Sequence, residues 1–246
     1  MRILGINCMN HDAAMAVVDY SSGIGEILWA AHAERYSKVK NDHYLNWGIV
    51  NEAMTFGPFD KVVYYEKPWL KKTRQFYAGQ YGTALSYTEL PSWHLEHFGI
   101  KIDEYVKHHD SHAAAGYFTS PFKEATILTV DAIGEWDTVS ISTANKIWIE
   151  RKETIQYPHS LGILYSAFTQ RCGLKPAEEE YILMGMAAYG TPKYKQDIYE
   201  DFVHQSPFKL KKNLHRGLSD WHPEADVMDI AASIQAVIEE ILADLF

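Results

Sequence analysis

Three apolar runs, 2–7, 13–20 and 26–34, open the chain before any helical periodicity appears. Gly23-Ile24-Gly25 forms a hairpin turn between the second and third. A segment of helical spacing, 44–56, follows and stops at Gly57-Pro58, and residues 61–65 return to a β-rich run. A chain that commits to three strands, a helix, a strand and further helix has one economical solution. It builds a mixed sheet with helices packed on it, an α/β fold. Pattern alone leaves open which α/β fold this is.

The rest continues in that style. Residues 68–99 are helical and aromatic, broken at Gly79, Gly82 and Pro91. A short strand over 104–108 leads into a helix over 109–118. Strands over 125–131 and 138–143 flank the turn Ala132-Ile133-Gly134-Glu135, and 146–154 adds a third. Ser160 is placed to cap a helix over 161–172 that ends at Gly173. Pro176 is placed to start another, through Ala188 and closed by Gly190. Residues 191–225 read as polar and irregular. Residues 228–246 form an amphipathic helix with no stop signal, the pattern of a chain that continues. No internal repeat is evident.

The segment Lys107-His108-His109-Asp110-Ser111-His112 carries the sharpest chemical signal. His108 and His112 lie four residues apart, on one helix face, where two imidazoles can grip one metal ion. Asp131 closes the apolar run 126–130 and supplies a possible third ligand, a set suited to a divalent transition metal. Spread over 246 residues, twelve histidines say little beyond this spacing. His109 points off the 108/112 face and reads as a packing residue. Glu135 and Asp137 read as turn residues rather than ligands. The net charge of -9, with no basic stripe, argues against direct nucleic-acid binding. No apolar run is long enough to span a membrane, the N-terminus begins as a core strand rather than a signal peptide, and two cysteines fit a reducing cytoplasm.

A family pattern runs through the chain. Its blocks are Ile3-Leu4-Gly5-Ile6-Asn7, His11-Asp12-Ala13-Ala14, Glu34-Arg35-Tyr36-Ser37 with Lys40, and His108-His109-Asp110-Ser111-His112-Ala113-Ala114. They continue with Thr129-Val130-Asp131-Ala132-Ile133-Gly134-Glu135, Tyr157-Pro158-His159-Ser160-Leu161-Gly162, Met184-Gly185-Met186-Ala187-Ala188-Tyr189-Gly190 and Ile230-Ala231-Ala232-Ser233-Ile234-Gln235. In these blocks the chain resembles the N-terminal half of O-carbamoyltransferases of the nodulation-factor and antibiotic-biosynthesis type. It departs from them mildly at Ala132, where Gly is typical, and at 186–189, where Leu-Ala-Pro-Tyr is usual.

The resemblance implies a ribonuclease-H-like/actin-like ATPase fold. Residues 1–225 would be its first subdomain, with mixed sheet and flanking helices, and 226–246 a helix leading to a second subdomain missing from the chain. It implies transfer of a carbamoyl group from carbamoyl-adenylate, made from carbamoyl phosphate and ATP, to a small hydroxyl-bearing acceptor. His108, His112 and Asp131 match three metal ligands, usually for iron, and the fourth, an Asp, would come from the missing C-terminal half or a separate chain. His11 matches a position near the transfer site, as a base or as a hydrogen-bonded turn histidine. Lys40 matches one where an ammonium can polarise the carbamoyl oxygen, or is a solvated charge. Asn7, before a turn similar to the phosphate-holding turn of actin-like folds, and Gly185, a helix-packing glycine first, are the nucleotide-contact candidates. Alone, the chain is expected to show negligible transfer and weak metal binding. The competing readings are a non-catalytic metal- or nucleotide-binding module and a metal-dependent hydrolase.

Overall fold

Alternation of buried and part-exposed residues sets the opening strands. β1 (Arg2–Asn7) buries Leu4 and Ile6, and β2 (Ala14–Asp19) buries Met15 and Val17. The antiparallel register sets Leu4 opposite Val17 and Ile6 opposite Met15, so all four share one face. β3 (Glu26–His32) extends the meander. After a single turn, α1 (Glu34–Ser37), comes α2 (Trp47–Met54), capped by the Asn46 side chain accepting from the Ile49 N–H at 3.2 Å. α2 lays Ile49, Val50 and Ala53 on the Leu4–Val17 face.

β4 (Lys61–Tyr64) returns parallel to β1, and β5 (Glu104–Tyr105) parallel to β4. Between them run α3 (Pro68–Tyr77), α4 (Tyr81–Leu85) and α5 (Pro91–Glu96). Pro68 and Pro91 each sit in a first helical turn, where no N–H is needed. The sheet order is β3-β2-β1-β4-β5, with β2 alone running against the others. The carboxyl ends of β1, β4 and β5 therefore lie along one edge, and α6 (His108–Phe118) starts there.

The computed structural model describes residues 1–205, 207–218 and 220–245, which divide into two compact units, Met1–Ala115 and Gly116–Phe246. The division falls inside the span 1–225 that reads from sequence as one subdomain. The second unit opens on its own antiparallel meander, β6 (Glu124–Gly134), β7 (Asp137–Asn145) and β8 (Trp148–Gln156). α7 (Leu161–Arg171), α8 (Glu180–Ala187), α9 (Lys195–Phe202) and α10 (Val227–Asp244) follow, packed on a core that includes Leu164, Phe168, Leu183, Ile198, Ile230 and Ile234. Among the described residues no helix is long and apolar enough to cross a membrane.

Three expectations need correction. Residues 176–179 are not helical. Ala177 is left-handed at φ 64°, and two carboxylates brace the loop instead, Glu179 accepting from the Lys175 N–H and Glu180 from the Ala177 N–H. The segment 191–225 reads as irregular, but among its described residues are α9 and the antiparallel pair β9 (Val203–His204) and β10 (Lys209–Leu210). The last helix begins one residue early, on the Asp226 cap, and ends at Asp244; Phe246, the last residue of the expected helix, lies outside the described residues.

Candidate metal centre

α6 places the two imidazoles as their spacing requires. His108 Nε2 and His112 Nε2 stand 3.0 Å apart. Two nitrogens bound tetrahedrally at metal–nitrogen distances of ~2.0–2.1 Å would stand about 3.3 Å apart, so the pair fits a transition metal with little rearrangement. His108 is buried and His112 exposed. His109 is buried and packs edge-on to the His112 ring, 6.5 Å between centroids.

The support behind His108 is a group that sequence reasoning missed. Glu66 lies in the link between β4 and α3 and is 4 % exposed. One carboxylate oxygen accepts from the Lys71 ammonium at 2.8 Å, and the other lies 3.7 Å from His108 Nδ1. Burial alone would raise the Glu66 carboxyl, but His108 and Lys71 outweigh it and hold it below the usual carboxylate range. The Tyr65 ring flanks His108 at 5.1 Å between centroids. Glu66 carries no motif of its own; the available signal was its position, just past the end of a parallel strand, where such sheets gather ligand-facing groups.

Asp131 lies in the second unit. β6 and β7 lose register between Val130 and Gly134, so Asp131 sits in a bulge, a device that re-aims a side chain. The start of α7 fixes that bulge. The buried Ser160 hydroxyl donates to the Ala132 carbonyl at 2.7 Å and accepts from the Ile163 N–H at 3.0 Å. Gly162 packs so closely that a Cβ there would come within 2.6 Å of Ala132 Cα. Asp131 Oδ1 accepts from the Ala132 N–H at 2.6 Å. Asp137 has a structural role in the sheet, pairing with Arg151 and accepting from Gln156.

Asn7 and His11 share the turn after β1. Asn7 Nδ2 donates to the Asp12 carbonyl at 3.2 Å, while His11 is exposed with Nδ1 2.9 Å from Asp12 Oδ2. Backbone bonds Met9 N–H to His43 O and Ala13 N–H to Asp42 O, both 2.7 Å, stitch this turn to the loop that carries the exposed Lys40. The first unit thus brings the His11 turn and the Lys40 loop side by side. Burial pushes the Cys8 thiol up to about 12.

Gly185 stands in α8 with open space where a Cβ would go, so helix packing does not explain it. Gly190 is the packing glycine, since a Cβ there would come within 2.0 Å of the Met228 carbonyl oxygen. Gly190→Ala is therefore expected to cost about 1–3 kcal/mol in chemical denaturation. Gly185→Ala should be neutral or stabilise by up to about 1 kcal/mol. Equal effects of the two would contradict the contrast.

The sheet order, with one strand reversed, is that of the ribonuclease-H-like/actin-like class, in which ligands gather at the carboxyl edge. Residues 100–245 match the Carbamoyltransferase N-terminus family. The chain belongs to that family. It is 32% identical to the uncharacterized protein sll1178 of Synechocystis sp., over 99% of this chain and 47% of that one. It is 24% identical to the nodulation protein NolNO of Sinorhizobium fredii, over 80% of this chain and 30% of that one. The chain therefore spans about half, or less, of these relatives' length. Among solved structures, the Aquifex aeolicus PPX-GPPA enzyme overlays with a TM-score of 0.39 at 12% identity, covering 99% of this chain and 93% of that one, a likeness too distant to add to the strand order.

Proposed function

We propose that this chain is the N-terminal part of an O-carbamoyltransferase that passes the carbamoyl group of carbamoyl-adenylate to the hydroxyl of a small acceptor. The observation that carries the reading is the His108/His112 nitrogen pair, set at the carboxyl edge of the sheet in a chain of the carbamoyltransferase family. In this reading Asp131 joins the two histidines as third ligand of a divalent metal, iron before zinc or manganese. The fourth ligand comes from the C-terminal part that the longer relatives carry, or from a separate chain. The metal supplies positive charge beside the phosphate that becomes AMP. Asn7 and Gly185 contact the nucleotide, and ATP and carbamoyl phosphate are the precursors of the donor.

The remaining steps fall to the chain's own residues. The acceptor oxygen attacks the carbamoyl carbon, a C–O bond forms, and the bond to the phosphate oxygen breaks with AMP as leaving group. Asp12 holds His11 through Nδ1, leaving Nε2 to take the acceptor's proton. Lys40, on the adjoining loop, polarises the carbamoyl oxygen. His11→Ala is expected to slow transfer by roughly 100-fold or more while leaving adenylate affinity intact. The assay is single-turnover carbamoyl transfer by the chain together with the C-terminal part of its longer relatives. Undiminished transfer would remove His11 from the base role.

A further inference from the structure

We infer that Glu66 is a positioning residue for His108, holding the imidazole with its proton on Nδ1 so that Nε2 is free to bind a metal. The inference rests on the metal reading given above and names a residue that reading does not use.

The link between β4 and α3 is held at both ends. Tyr64 closes β4 fully buried, its hydroxyl donating to the Cys8 carbonyl at 2.6 Å. Pro68 opens α3, buried in its first turn. Between them Glu66 is forced inside, and a carboxylate inside a protein needs a partner for each oxygen. Lys71, one turn into α3, takes the first oxygen. The second faces His108 Nδ1 at 3.7 Å, an ion-pair separation rather than a close hydrogen bond. On the far side of the same ring, Nε2 faces His112. A carboxylate behind one ring nitrogen with the other nitrogen aimed at a second imidazole is the arrangement by which outer residues orient a metal-binding histidine. A purely structural ion pair with Lys71 would close the β4–α3 link equally well but would need no carboxylate oxygen turned toward His108.

The test uses the 246-residue chain, labelled with 15N-histidine and free of metal. Two-bond 1H–15N correlation spectra read the tautomer of each ring, and His108→Gln identifies the His108 signals. His108 is expected as the Nδ1–H form in the unmodified chain and to shift toward the Nε2–H form in Glu66→Ala. Glu66→Gln serves if the alanine variant fails to fold. A Co2+ titration, followed by visible absorbance, should show about 10–100-fold weaker binding in Glu66→Gln and partial recovery in Glu66→Asp. A His108 already in the Nε2–H form, or a tautomer and affinity both untouched by Glu66 substitution, would overturn the inference. Co2+ binding unaffected by His112→Ala, with the tautomer still governed by Glu66, would overturn the metal reading and support the Glu66–His108 pairing.

Discussion

His112→Ala is expected to weaken divalent transition-metal binding on the order of 100-fold, roughly 2.7 kcal/mol, and to leave folding stability nearly unchanged. The two halves of this expectation have separate causes. His112 is exposed on α6, so removing its ring opens no cavity. Surface changes of that kind stay within about 0.5 kcal/mol. Yet His112 Nε2 faces His108 Nε2 on α6 at 3.0 Å, and a metal held by both would lose half of that grip. His109→Ala should show the reverse. That ring is 1 % exposed and packs against the His108 ring at 6.1 Å between centroids, so its loss leaves a void, a cost of about 1–3 kcal/mol, with metal affinity retained. Equilibrium dialysis with Fe2+, Mn2+ and Zn2+, beside urea denaturation, separates the outcomes. Equal losses of metal affinity in the two variants would refute the assignment of His112 as a ligand.

The contrast between His112 and His109 also marks what the sequence could convey. Spacing of four residues on a helix is local information, and the 108/112 rings face each other on α6 as that spacing requires. The opening meander was legible for the same reason, because Leu4, Ile6, Met15 and Val17 alternate with residues that need no burial. Glu66 was invisible because its burial depends on α3 and α6, elements that reach it from further along the chain. Alone it reads as one more surface carboxylate before Lys67 and Pro68. Pro176 misled in the opposite sense. Proline favours the first turn of a helix, but here the next residue turns left-handed and the helix waits until Glu180. The bulge at Asp131 was half legible: the end of an apolar run marked the residue, while the grip of Ser160 and Gly162 on Ala132 comes from a helix nearly thirty residues later.

Phe168→Ala is expected to cost about 3–5 kcal/mol, the largest stability loss of the substitutions considered. Typical domains hold only about 5–15 kcal/mol in total, so the second unit would approach its unfolding limit. Phe168 is fully buried on α7, with its ring set edge-on to Phe202 at 5.8 Å and to Trp221 at 5.1 Å between centroids. Both partners belong to the segment 191–225, whose Lys, His and Pro content disguises it as irregular surface. Its apolar residues are the ones that turn inward, Ile198, Phe202, Phe208, Leu210 and Leu214 among them. The polar groups brace the turn around them. Arg171 donates to the Trp221 and His222 carbonyls at 2.5 Å each, and the Trp221 indole N–H donates to Asp201 at 2.8 Å. Removing the Phe168 ring thus takes away the surface on which this segment is ordered, since neither α9 nor the two-residue strands β9 and β10 can bury an apolar face alone. Urea denaturation followed by backbone circular dichroism gives the loss. A change below 1 kcal/mol would mean that the segment is held by its polar contacts and that Phe168 is not the packing centre of the unit.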